Sequence, residues 1–161
     1  MGLRPLWTQF LKWFRTLFAR SRGAEPREFV TETGEVARFV FRARDLDKSG
    51  NPKPGAFAPE MHPELNRWET SVCGRDGVSD SRLWELGQTI RPGMQCIASI
   101  EVATADVRRI GLDCVAAPEP NFAEHGVIIG WHAEKDRRLL AQQDLVVARR
   151  RVLTPPPAAG T

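Results

Sequence analysis

Val36-Ala37-Arg38-Phe39-Val40-Phe41-Arg42 is the stretch on which the fold turns. Side chains alternate across it, with Val36, Arg38, Val40 and Arg42 on one side and Ala37, Phe39 and Phe41 on the other. A period of two predicts a strand. Upstream, Glu28–Glu32 reads as a partner strand across a turn at Thr33-Gly34. Downstream, residues 45–55 are rich in Asp, Pro and Gly and read as a loop. Pro59 to Glu64 reads as irregular.

Further strands are expected at Arg67–Cys73, Gln95–Val102, Leu112–Ala116 and Gly126–Trp131, the last an apolar run suited to the sheet interior. Ser79 is placed to cap a helix running to Gly87. Thr104 is placed to cap a shorter one, Ala105–Ile110. A long helix is expected over about 133–150, with Leu139, Leu140, Gln143, Val146 and Val147 as its inner stripe. The class is α+β: a mixed, mainly antiparallel sheet of five or six strands with two or three helices, plus an N-terminal amphipathic helix. The chain divides into that helix at 1–22, a linker and first strand at 23–35, a globular domain at 36–151 and a Pro-rich, disordered tail at 152–161.

The leading segment carries the plainest signal. Leu6, Trp7, Phe10, Leu11, Trp13, Phe14, Leu17 and Phe18 recur at helical spacing, and Pro5 suits a first turn. Residues 1–22 hold five basic side chains, Arg4, Lys12, Arg15, Arg20 and Arg22, and no acid. Residues 23–148 carry 15 basic against 20 acidic residues, a net −5. The overall charge of +3 therefore belongs to the ends, where Arg149–Arg151 add the remainder. Burying such large aromatics is worth about 1.5–3 kcal/mol each, so this surface must find cover. Packing on its own domain is one way. A membrane interface or a groove on a larger protein are the others, and the missing acids favour them. Trp7, Phe10, Trp13, Phe14 and Phe18 would anchor, with Lys12, Arg15, Arg20 and Arg22 at the rim. The bulky apolar face fits nucleic acid poorly.

No run approaches the ~20 apolar residues that span a bilayer. Lys12 and Arg15 interrupt what would be a secretory signal. Cys73, Cys96 and Cys114 are odd in number and lack Cys-x-x-Cys spacing, which reads as core cysteines in a reducing compartment. The expected location is cytoplasmic, or peripheral at an inner membrane.

Motifs with chemistry are sparse. Asp45-x-Asp47-x-Ser49-Gly50 copies the start of a calcium loop, but the twelfth position, which must supply a bidentate carboxylate, is Ala56. The expectation is an Asx-type turn and no metal. His62, His125 and His132 lack the close ligand pairs of a zinc site. His125 stands where a loop enters a strand, a common place for a proton carrier. Arg42 with Arg44, at the end of a strand and beside the Asp/Pro/Gly loop, could hold a phosphate or carboxylate. Ser71 and Cys73 are possible nucleophiles with no base visible beside them. These residues also have plain structural readings, as core cysteine, solvated arginine and strand-end histidine. No cofactor is expected.

Ala37-Arg38-Phe39-Val40-Phe41-Arg42, Gly55-Ala56-Phe57, Ser71-Val72 and His125-Gly126-Val127-Ile128-Ile129-Gly130-Trp131 resemble segments of small bacterial single-domain proteins of unknown function. The resemblance covers about residues 36–150. It implies a bacterial single-domain protein and carries no activity across. The resulting expectation is an accessory or interaction protein held to a larger protein or an anionic membrane surface through residues 4–22. The alternative is a small enzyme acting on a phosphate-bearing substrate, with Arg42 and His125 in its site.

Overall fold

The computed structural model describes residues 28–155. The aromatic leading segment, including Trp7, Phe10, Lys12, Trp13, Phe14, Arg15, Phe18, Arg20 and Arg22, lies outside them, as does the end of the tail.

Seven strands form one wholly antiparallel sheet: β1 (Glu35–Val40), β2 (Glu60–His62), β3 (Arg67–Gly74), β4 (Ala98–Ala103), β5 (Asp113–Ala116), β6 (His125–Ile129) and β7 (Arg151–Leu153). Three α-helices accompany them: α1 (Asp80–Thr89), α2 (Thr104–Arg109) and α3 (Lys135–Ala148). The order across the sheet is β5-β6-β3-β1-β4-β7, and β2 pairs with β3 beside that path. The class is α+β as expected, but the sheet has no parallel pair and more strands than the sequence suggested.

The alternation of β1 sets up two cores. Val36 and Val40 pack on one face with Val72, Ile100, Val102, Cys114 and Ile128, beneath Val107 of α2 and Leu145 of α3. Ala37 and Phe39 pack on the other face with Cys73, Cys96 and Phe122, beneath Leu83 and Leu86 of α1. Ser79 Oγ accepts the Arg82 N–H and starts α1 in the expected way.

Other expectations are corrected. Residues 28–32 form bends and a turn, closed by Gly34 N–H on the Thr31 carbonyl, and are not a strand. The Thr104 hydroxyl does not cap α2. It lies within hydrogen-bond reach of the Thr31, Glu32 and Gly34 carbonyls and ties that turn to the sheet. Glu60–His62 is a strand, and so is Arg151–Leu153, which carries the chain past the helix and into positions assigned to the tail.

The inner face of α3 is Ala141, Leu145, Val146 and Ala148. Leu140 and Val147 are 59% and 80% exposed, and Leu139 is exposed too. Small alanines let this face approach the 3₁₀ turn Pro54–Phe57, against which α3 packs. The Arg138 guanidinium, 4.2 Å from the Trp68 ring centre, holds the helix in that rotation. Among the described residues no helix is long and apolar enough to cross a membrane.

Candidate functional site

The pairing of β1 with β3 is short. Only Val36↔Gly74 and Ala37↔Cys73 are in register, after which the strands part. From Arg67 to Glu69, β2 takes the neighbouring place on β3. Arg38 fills the gap: its Nε donates to the Ala56 carbonyl at 3.0 Å and its Nη1 to the Ser71 carbonyl at 2.8 Å. A cleft of about 180 Å³ opens there, lined in part by Arg38, Glu60, His62, Glu69, Ser71 and Arg91.

Charge in this cleft is unevenly matched. Arg67 Nε lies 3.1 Å from Glu69, and Arg91 Nη2 lies 3.8 Å from Glu60. Arg91 also rests over the Phe41 ring at 5.1 Å. Arg38 is partly buried, and no carboxylate among the described residues lies within ion-pair distance of it. Burial first, and then the like charge of Arg91, pull its guanidinium down to about 10.

At one edge of the cleft stands Ser71. Because β3 and β6 run antiparallel with Cys73↔His125 and Ser71↔Val127 in register, His125 and Ser71 share a face and meet on the diagonal. His125 Nε2 lies 2.7 Å from Ser71 Oγ. The other ring nitrogen, Nδ1, lies 2.6 Å from the Ala117 carbonyl and 3.4 Å from Glu119 Oε1. A carbonyl oxygen can only accept, so Nδ1 carries the proton and Nε2 offers its lone pair to the serine hydroxyl. The ring is 8% exposed and packs on Phe122 at 5.1 Å between centroids.

Of the sequence candidates, His125 is thus joined to Ser71 rather than to Arg42. Arg42 is exposed just beyond β1 and does not line the cleft; Arg38, four residues earlier, does. Cys73 is buried, and burial first, then the Glu124 charge, push its thiol up to about 12, so it is a core residue. The Asp45–Gly50 loop forms the Asx turn: Asp47 Oδ1 accepts the Ser49 and Asn51 N–H groups, each at 2.8 Å. Among the described residues no cluster of three or more His, Cys, Asp or Glu is placed to hold a metal. His62 Nδ1 accepts the Leu65 N–H, and His132 Nε2 lies 3.0 Å from Arg137 Nη1.

The basic run at 149–151 is absorbed by the domain. Arg151 Nε donates to Glu101 Oε2 at 2.9 Å, and Arg150 faces Asp106 at 3.5 Å. The chain matches no family model, no curated protein and no solved structure.

Proposed function

We propose that this domain recognises a small anionic group, a phosphate or a carboxylate, in the cleft walled by Arg38 and Arg91. We further propose that residues 4–22 attach it to a larger protein or an anionic membrane surface. The observation that carries the first part is Arg38. A partly buried guanidinium without a carboxylate is costly unless something compensates it. Here its hydrogen bonds go to two backbone carbonyls, which orient it without cancelling its charge. The planar fork that remains suits a bidentate anion. The sequence pointed to Arg42 for this purpose; we assign it instead to Arg38, which lines the cleft as Arg42 does not.

Titration of the full chain with inorganic phosphate and with succinate, followed by calorimetry, tests the cleft. Saturable binding by one of them, lost in Arg38→Met and kept in Arg42→Met, is expected. No saturable heat from either anion removes the reading. The attachment is supported by the acid-free, aromatic composition of residues 1–22. Deleting them should abolish co-sedimentation with vesicles containing phosphatidylglycerol, or capture of a protein partner, while the domain stays folded. Loss of folding with binding unchanged would place the segment in the core instead.

A further inference from the structure

We infer that Ser71 is a nucleophile activated by His125, and that the pair hydrolyses a small ester carrying an anionic group. The nucleophile stands on the Ser71–His125 geometry alone; the anionic character of the substrate rests on the reading of the cleft just given.

Three features support the pair. First, the tautomer is the productive one. Nδ1–H is committed to the Ala117 carbonyl, so the Nε2 lone pair at 2.7 Å is free to take the Ser71 proton. Secondly, a carboxylate stands behind the ring. Glu119 Oε1, 3.4 Å from Nδ1, would stabilise the imidazolium that forms when Nε2 is protonated. The Glu119↔Phe122 bridge closes that loop on itself, and Phe122 shields the imidazole from water. Thirdly, the serine borders the cleft. Ser71 is one of its lining residues, and Arg38 donates to its carbonyl from the face that carries Val36 and Val40, while the hydroxyl stands with Cys73 and His125 on the other. A substrate held by that guanidinium would reach the hydroxyl through the gap where β1 and β3 part.

The step is an ordinary acyl transfer to serine. Ser71 Oγ adds to the ester carbonyl carbon as its proton passes to His125 Nε2. The carbon–oxygen bond to the leaving alcohol breaks, and that alcohol takes the proton back from Nε2. Water then repeats the sequence on the acyl-serine, giving the free acid and restoring both residues. The net reaction is ester plus water to acid plus alcohol. Cys73, the register partner of His125, takes no part because its thiol stays protonated in the core.

A fluorophosphonate probe on the full chain, read by intact mass and peptide mapping, reports the nucleophile directly. A single adduct on Ser71 is expected. It should disappear in Ser71→Ala and form at least about 100-fold more slowly in His125→Gln, the lower range for a lost general base. Ser71→Ala removes one oxygen from a strand and leaves the buried His125 Nε2 unpaired, so its circular dichroism should match the parent while its melting point falls without loss of the fold. A folded parent that takes no adduct on Ser71, or one whose labelling ignores His125→Gln in a folded variant, overturns the pair. The substrate class is read separately, with mono-p-nitrophenyl succinate against p-nitrophenyl butyrate. A KM advantage of about tenfold for the succinate ester over the butyrate ester, lost in Arg38→Met, is expected. Adduct formation with equal KM for both esters would sink the anionic substrate and leave the Ser71–His125 pair standing.

Discussion

Two groups of arginines serve the same sheet and are treated in opposite ways. At the β4–β7 edge, Glu101 is 3% exposed and faces two of them. Arg75 Nε lies 2.7 Å from Oε1, an ionic contact rather than an aligned hydrogen bond, and Arg151 grips both oxygens at 2.9 and 3.1 Å. Asp80 Oδ1 closes the ring, 2.6 Å from Arg75 and 2.9 Å from Arg151. Two cations meet two anions, and the ring ties β4 and β7 to the start of α1. In the β1–β2–β3 cleft, Arg38 is oriented by carbonyls and has no carboxylate among the described residues within ion-pair distance, though Glu60 and Asp45 act on it from farther off. On the function proposed above, the difference separates charge cancelled inside the fold from charge kept for a ligand.

The comparison can be broken most forcefully at Glu101. Glu101→Gln leaves Arg75, whose side chain is largely buried, facing a neutral amide. Removing one partner of a buried pair costs about 3–5 kcal/mol. A urea midpoint shifted by that much at constant slope is expected; a change within error would mean the ring is solvated. Next comes ligand linkage. Phosphate or succinate at a hundredfold excess over its Kd should stabilise the parent by about 2.7 kcal/mol and Arg38→Met not at all. Equal stabilisation of both proteins would move the anion elsewhere. Smaller again is Arg38→Met without ligand. Two hydrogen bonds are lost but a poorly compensated charge is removed from the interior, so the net cost should be about 1 kcal/mol or less. A loss as large as that of Glu101→Gln would show that Arg38 is structural, and the contrast would collapse.

Much of the scaffold was legible in the sequence because its signals are local. The period of two across Val36–Val40 announces β1, and Ser79 before an apolar helix announces α1. Ala98, Ile100 and Val102 share a core as their spacing implies, but Cys96, expected on the same face, packs in the other core because the strand begins only at Ala98. What failed depended on partners distant in the chain. Glu60–His62 and Arg151–Leu153 are three residues each, too short for periodicity, and exist as strands because β3 and β4 receive them. Helix α3 is apolar on more than one side, and the alanine-bearing side was chosen by the turn it approaches, which hydropathy does not weigh. The Ser71–His125 pair was hidden for the same reason. Each residue was visible alone, but 54 positions separate them, and only the β3–β6 register brings the ring to the hydroxyl. Arg38 carried no signal beyond its place in the alternation; its special place comes from the parting of β1 and β3.

The finest effect in the comparison is the titration of Asp80. Burial alone would raise its carboxyl, but hydrogen bonds from Arg75 and Arg151 outweigh this and hold it below the usual carboxylate range. A carboxylate depressed in the folded state stabilises the fold above its unfolded value near 3.8, and that contribution is lost as the pH falls through the lower folded value. Asp80 is half exposed, so the change is small and screened by salt. It is still resolvable in the carboxyl carbon shift followed by NMR from pH 5 downward. Arg151→Gln should move the midpoint upward, since one of the two donors is gone, while Arg38→Met should leave it in place. A shift caused by Arg38→Met would couple the two arginine groups across β1, and they could no longer be treated as separate devices.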